Sequence, residues 1–154
     1  MALVQRDFIL RMIEAIAAAV ARIVKRKQSG DLAGARKEVH DAVTELLGPA
    51  SAMVGMLDSR TAANVVSDPK RIALWARLLS EDADVLRLMG RTKEAEATDR
   101  RTLELLLESW RREELFDDDT QRHYEEVRAR VPLEQLDAGF RAVAADLASR
   151  GEPR

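Results

Sequence analysis

The sequence predicts an all-helical fold, and three observations carry that expectation. The chain is rich in Ala, Leu, Glu and Arg while only 4% of its residues are aromatic, a composition that suits long helices and is poor material for a sheet. Apolar residues recur at spacings of three and four along most of its length. Gly30, Gly48-Pro49 and Gly90 punctuate the periodic stretches where helices would stop. With 154 residues the chain is the size of one domain and long enough to bury a core. Residues 1–149 read as that domain and residues 150–154 as a tail.

The first helix is expected over 4–28. Phe8, Met12, Ile16, Ala19 and Ile23 form one apolar stripe, and Ile9, Ile13, Ala17, Val20 and Val24 form a second beside it. An apolar arc this wide belongs to a helix covered on more than one side. It is therefore either the central helix of the domain or part of a dimer interface. Lys25, Arg26 and Lys27 suit the negative end of its dipole, and Gly30 ends it. Asp31 then caps a second helix carrying Leu32, Ala35, Val39, Ala42, Val43, Leu46 and Leu47. Gly48-Pro49 stops it, which completes a first hairpin over 4–48. Residues 49–68 are the least regular part, with room for a short helix over 49–57 and a turn or two over 59–66.

Ser67-Asp68-Pro69 is a helix start, a capping residue followed by Pro at the first helical position. The helix after it carries Ile72, Trp75, Leu78, Leu79, Leu86 and Met89 and ends at Gly90. Thr92 opens the next, which runs to about Arg112 and completes a second hairpin over 69–112. Asp117, Asp118 and Asp119 are favourable ahead of a helix beginning near Thr120. Pro132 breaks that helix and opens the last one, with Leu133, Leu136, Phe140, Val143, Ala144 and Leu147 on one stripe. Two C-terminal helices thus fill 118–149.

The two hairpins share a layout sixty residues apart: Gly30 with Ala35, Gly90 with Ala95, Leu46-Leu47 with Leu106-Leu107, Arg11 with Arg71. The geometry explains the pattern. Gly leaves a helix in the left-handed conformation, and a small Ala lets the returning helix approach closely. In these residues the chain resembles the tetratricopeptide family, whose repeat has a Gly at the turn, an Ala five residues on and a small residue seven after that. Ala42 fits the last position well and Thr102 loosely. Asp82, Asp99, Arg22 and Arg26 stand where that family has apolar residues, and a sixty-residue period is too long for adjacent standard repeats. The opening Gln5-Arg6-Asp7-Phe8-Ile9-Leu10-Arg11-Met12-Ile13-Glu14 also resembles the start of a family of short bacterial helical proteins of uncharacterised function. That likeness covers roughly 4–110. The resemblances imply two antiparallel tetratricopeptide-like hairpins with C-terminal helices, in a right-handed array or bundle, and a bacterial source. They imply no activity.

The residues themselves argue against most chemistry. There is no Cys, which excludes disulfides, thiolate nucleophiles and Cys-ligated zinc and suits a reducing compartment. No Gly-rich phosphate loop is present, and Ser29 and Ser51 have no triad context. His40 reads as a solvated or hairpin-packing side chain. His123 and Glu126 read as one polar helix face, because a bundle metal site needs a second such motif. No metal, cofactor or catalytic residue is expected, and the chain reads as a non-enzyme. The longest wholly apolar run, Ala15 to Ala21, is seven residues against the roughly 20 a membrane span needs. Asp7, Arg11 and Glu14 interrupt what would be the core of a secretory signal. A cytoplasmic location is the expectation.

Basic and acidic residues nearly cancel, 25 against 27, for a net charge of −2, so nucleic acid is not an expected partner. The best basic patch would join Arg22, Lys25, Arg26 and Lys27 to Arg36 and Lys37 across the Gly30 turn; it has no aromatic stacking platform. The most suggestive surface is Arg77, Ser80, Asp84 and Arg87, which share one face of the fourth major segment. If the tetratricopeptide resemblance holds, that face lines the ligand groove and binds a partner. The expected function is non-catalytic protein–protein interaction, as an adaptor or scaffold. The alternatives are a structural protein that buries its first helix in a homodimer, and a nucleic-acid-binding accessory protein.

Overall fold

A computed structural model describes residues 2–151, and among these the fold is all-helical with no strand. In chain order the helices are α1 (Ala2–Gln28), α2 (Leu32–Leu47), α3 (Ser51–Gly55), α4 (Ser59–Val66), α5 (Pro69–Leu88), α6 (Thr92–Glu113), α7 (Asp118–Arg130) and α8 (Ala138–Gly151), with single 3-10 turns at Gly48–Ala50 and Leu133–Gln135. The expected tail begins inside α8. Its residues 152–154 lie outside the described residues.

Two turns repeat each other. Gly30 and Gly90 both adopt the left-handed conformation, at φ of 80° and 78°. At the first, Gly30 N–H donates to the Lys27 carbonyl at 3.1 Å and Asp31 N–H to that of Arg26 at 2.9 Å. At the second, Gly90 N–H donates to Arg87 at 3.0 Å and Arg91 N–H to Leu86 at 2.9 Å. The paired bonds satisfy carbonyls that a helix end leaves orphaned. Ala35 and Ala95, five residues on, are fully buried, so each returning helix lies close against the one before it. Arg22 and Arg26 of α1 both reach Glu38 of α2, at 3.2 Å each, which shows α2 running back along α1.

The core joins Ile16, Ala19 and Ile23 of α1 to Val39 and Leu46 of α2, Ile72, Trp75 and Leu78 of α5, and Leu103, Leu106 and Leu107 of α6. The central helix is α6 and not α1. Apart from half-buried Glu104, every residue of α6 from Thr102 to Trp110 is buried, and the helix packs against α4, α5, α7 and α8. α1 is peripheral and rests on α2 and α5 alone among its principal contacts.

Three boundaries differ from the sequence expectation. Residues 49–68, expected to be irregular, are mostly helical. Asp58 caps α4 by accepting from Thr61 N–H at 3.1 Å, and Ala62 and Ala63 bury fully. Arg101 of α6 lies across Trp75 and donates to the carbonyls of Leu57 and Val54, at 2.8 and 3.3 Å, at the end of α3. These supports come from distant residues, which local periodicity does not display. α7 begins at Asp118 with Asp117 as its cap, accepting from Thr120 N–H at 2.8 Å; the acids begin the helix rather than precede it. α8 starts at Ala138 and not at Pro132. Asp137 caps it, accepting from Phe140 N–H at 3.0 Å and from the Arg60 guanidinium at 3.0 Å. Leu133 and Leu136 pack from the connection rather than from the helix.

The turn glycines yield a paired test. A Cβ at Gly90 meets nothing but forces an L-residue into a left-handed backbone, at about 1–2 kcal/mol. A Cβ at Gly55 also meets nothing, and its backbone is right-handed and helical. Urea denaturation is expected to show Gly90→Ala destabilising by about 1–2 kcal/mol and Gly55→Ala stabilising by about 0.5 kcal/mol. Equal effects of one sign would refute this account of the turn.

Candidate functional site

The face of α5 singled out by the sequence does not stand open to solvent. Ser80 is 3% exposed, and its hydroxyl accepts a hydrogen bond from Arg130 of α7 at 3.3 Å. Arg87 pairs with Asp84 on its own helix and with buried Asp99 on α6. Arg77 pairs with buried Glu81 at 3.0 Å, and Lys27 of α1 reaches the same carboxylate at 2.8 Å. Lys27 also lies 3.8 Å from Asp84. Of the four residues, Ser80 is inside the fold and the other three are committed to neighbours.

These contacts form one polar cluster where α1, α5, α6 and α7 meet. Its acids are Glu81, Asp84 and Asp99, and its cations are Lys27, Arg77, Arg87 and Arg130. Asp99 Oδ1 has no hydrogen bond and faces Arg130 at 3.6 Å. A buried carboxylate is tolerable only when cations and donors surround it, and each acid here has at least one cation. A second such group sits further along α6, where buried Glu108 takes Arg111 at 2.9 Å and Arg112 beside it. Local periodicity does not single out Glu81 or Glu108. One signal was present: Asp82 and Asp99 stand where a simple hairpin seam would be apolar. Asp82 meets Arg36 through two hydrogen bonds, at 2.9 and 3.3 Å.

His123 is a correction. It was read as part of an exposed polar face with Glu126, yet it is 6% exposed and its Nε2 has no hydrogen-bond partner. Glu126 is exposed. Burial first, then the positive charges of Arg77 and Arg130 against the smaller pull of Asp84, press the His123 pKa down to about 4. The ring is neutral at pH 7. His40 is exposed. Among the described residues no group of three or more His, Cys, Asp or Glu is placed to hold a metal ion, and no helix is long and apolar enough to cross a membrane.

The basic cluster of the first turn is largely neutralised. Arg22 and Arg26 meet Glu38, Arg26 also meets Asp31 at 2.6 Å, Lys27 meets Glu81, Arg36 meets Asp82, and Lys37 meets Asp41 at 3.2 Å. The Gly34 N–H and then Arg26 hold the Asp31 carboxyl below the usual range. Of the six cations only Lys25 has no ion pair among the described residues.

Exposed large apolar side chains occur at Met53 and Met56 near α3, Val65 of α4, Leu88 and Met89 at the end of α5, Leu115 after α6, and on α1. Val4, Phe8 and Leu10 are 71%, 55% and 47% exposed, although Met12, Ile16, Ala19 and Ile23 on the same helix turn inward. A hollow runs along each flank. One, about 490 Å³, lies between α1 and α7 over the α5 floor of Ala73 and Leu74, with His123 at its edge. The other, about 420 Å³, lies between α1 and α2 and is lined by Phe8, Ala15, Ala19, Ala42, Glu45 and Arg71 among others. The sequence flagged α1 as doubly apolar. The structure covers the first stripe from Met12 to Ile23 but leaves its Phe8 exposed, and it half-covers the second, with Ile9, Ile13, Val20 and Val24 partly buried and Ala17 exposed. Compared with known proteins, the chain matches no family model, no curated protein and no solved structure.

The buried histidine predicts a pH dependence. A His held below its ordinary pKa of 6.5 resists the proton that the unfolded chain accepts. Its stabilising contribution is complete above about pH 6.5 and is lost as pH falls toward 4. The full loss approaches about 3 kcal/mol. Chemical denaturation of His123→Phe is expected to lose less stability between pH 6.5 and 4.5 than the native chain does. Parallel profiles for the two proteins would refute the assignment.

Proposed function

We propose that the chain is a non-catalytic protein–protein interaction module of the adaptor or scaffold kind, built on tetratricopeptide-like helical hairpins. The observation that carries this reading is the exposed apolar surface of α1. Val4 and Phe8 stand one turn apart on one face of α1 and Leu10 on the other side, beside two hollows lined by apolar and charged residues alike. An apolar cluster exposed at this density on a fold with a well-filled core is a docking surface. The matched Gly30 and Gly90 turns, the buried Ala after each, and α5 resting on both α1 and α2 support the hairpin relationship. The interior offers little to a reaction: its buried acids are matched by cations from the same fold. The paired state of the first-turn basic cluster weighs against nucleic acid. The resemblance to short bacterial helical proteins makes a bacterial cytoplasmic setting part of the proposal.

The reading is tested in a fresh extract of the source organism. The native chain is expected to migrate on gel filtration well above its 17.2 kDa. Phe8→Asp combined with Leu10→Asp is expected to return it to the position of the monomer. A native chain that migrates alone would refute the interaction reading.

A further inference from the structure

A hollow of about 890 Å³ lies between α2, the α3 segment, α5 and α6 and takes no residue from α1. Its volume is that of a small-molecule pocket, a class of site that is mostly apolar with a few placed polar groups. Val43 of α2 and Trp75 and Leu79 of α5 supply apolar lining, and Gly48, Ala52 and Gly55 face them from the α3 segment. A Cβ built on Gly55 meets nothing within 4 Å. The wall there is low, which leaves a slot suited to an unbranched chain.

The distinctive polar group of the lining is Arg101 of α6. Its guanidinium lies 5.2 Å from the centre of the Trp75 ring and donates to the carbonyls of Leu57 and Val54. Five N–H donors are available on a guanidinium, so three have no partner among the described residues. The two carbonyls are neutral and leave its charge unmatched. Glu104 and Asp58 pull on that charge without coming within ion-pair distance, and burial pushes the Arg101 pKa down against them. A partly buried cation without a counterion is unfavourable, and an anion brought to it relieves the cost. The other charges of the lining are already engaged. Asp82, its one acid, is held by Arg36 through two hydrogen bonds, and Lys37 by Asp41 at 3.2 Å.

We propose that this hollow binds a small organic anion, an unbranched aliphatic carboxylate whose chain lies along Val43 and Leu79 and whose carboxylate sits on Arg101. The site is separate from the α1 surface and stands or falls independently of the interaction reading above.

The test is a titration of the purified full chain with octanoate from about 50 μM to 3 mM, with octanol as the uncharged control. Calorimetry reads the affinity, and the indole N–H resonances of Trp75 and Trp110 report the place. Octanoate is expected to move the Trp75 resonance and leave that of Trp110, and to bind at least about 10-fold more tightly than octanol. Arg101→Gln is expected to remove that preference for the carboxylate. Gly55→Leu keeps the guanidinium and fills the slot, and is expected to weaken octanoate several-fold. This second variant and the octanol control keep the question decidable if Arg101→Gln loosens the α3 segment. Octanoate and octanol bound equally well, a Trp75 resonance that stays in place, or a Gly55→Leu chain that binds octanoate as the native chain does would each overturn the site.

Discussion

The seam between α5 and α6 is the interaction on which the other elements depend. Ile72, Trp75, Leu78, Val85 and Leu86 from one helix and Leu103, Leu105, Leu106 and Leu107 from the other are all buried. Full burial of side chains of this size contributes about 1.5–3 kcal/mol each against exposure. The seam is not purely apolar. Asp99 and Glu108 point inward from α6, and Ser109 donates to the Pro69 carbonyl at 2.8 Å. Each inward acid requires a cation, and those cations come from α5, α6 itself and α7. α7 is therefore held in part by the need to neutralise a charge that the seam has already buried.

The same logic places α1. Lys27 in its last turn reaches Glu81 on α5, and the neighbouring Arg22 and Arg26 reach Glu38 on α2. Its apolar contacts at Ile16, Ala19 and Ile23 lie in the same half of the helix. The N-terminal half has neither kind of anchor in equal measure. Phe8 and Leu10 remain in solvent because the shorter α2 and the α5 floor cover the C-terminal half more completely.

What was legible in the sequence follows from where its causes lie. The α1, α2, α5 and α6 boundaries were readable because their causes are local: a left-handed Gly at each turn, Asp31 and Asp68 as caps, Pro69 at the first helical position. The start of α8 was not, because Asp137 is one capping candidate among several and Pro132 offered a nearer stop signal. Asp137 takes the cap through the Phe140 N–H, and Arg60 from another helix bonds it as well. The helical character of 49–68 hides for a similar reason, since Arg101 and Trp75 support it from a distance. Periodicity also misread polarity. It treats a charged or histidine side chain as facing out, whereas Glu81, Asp99, Glu108 and His123 all face in. The doubly apolar α1 was visible at once; that it is peripheral was not, because composition alone does not distinguish a helix enclosed by its own fold from one left partly open.

The uneven anchoring of α1 has a consequence for how the helix behaves over time. Its packing and ion pairs are concentrated toward the Gly30 turn, so the free energy of local opening falls steadily toward the N-terminus. Amide protons along a single helix would then exchange on a graded scale rather than as one unit. A second surface laid against the open half would remove that gradient, and the first half of α1 would become as slow to exchange as the second.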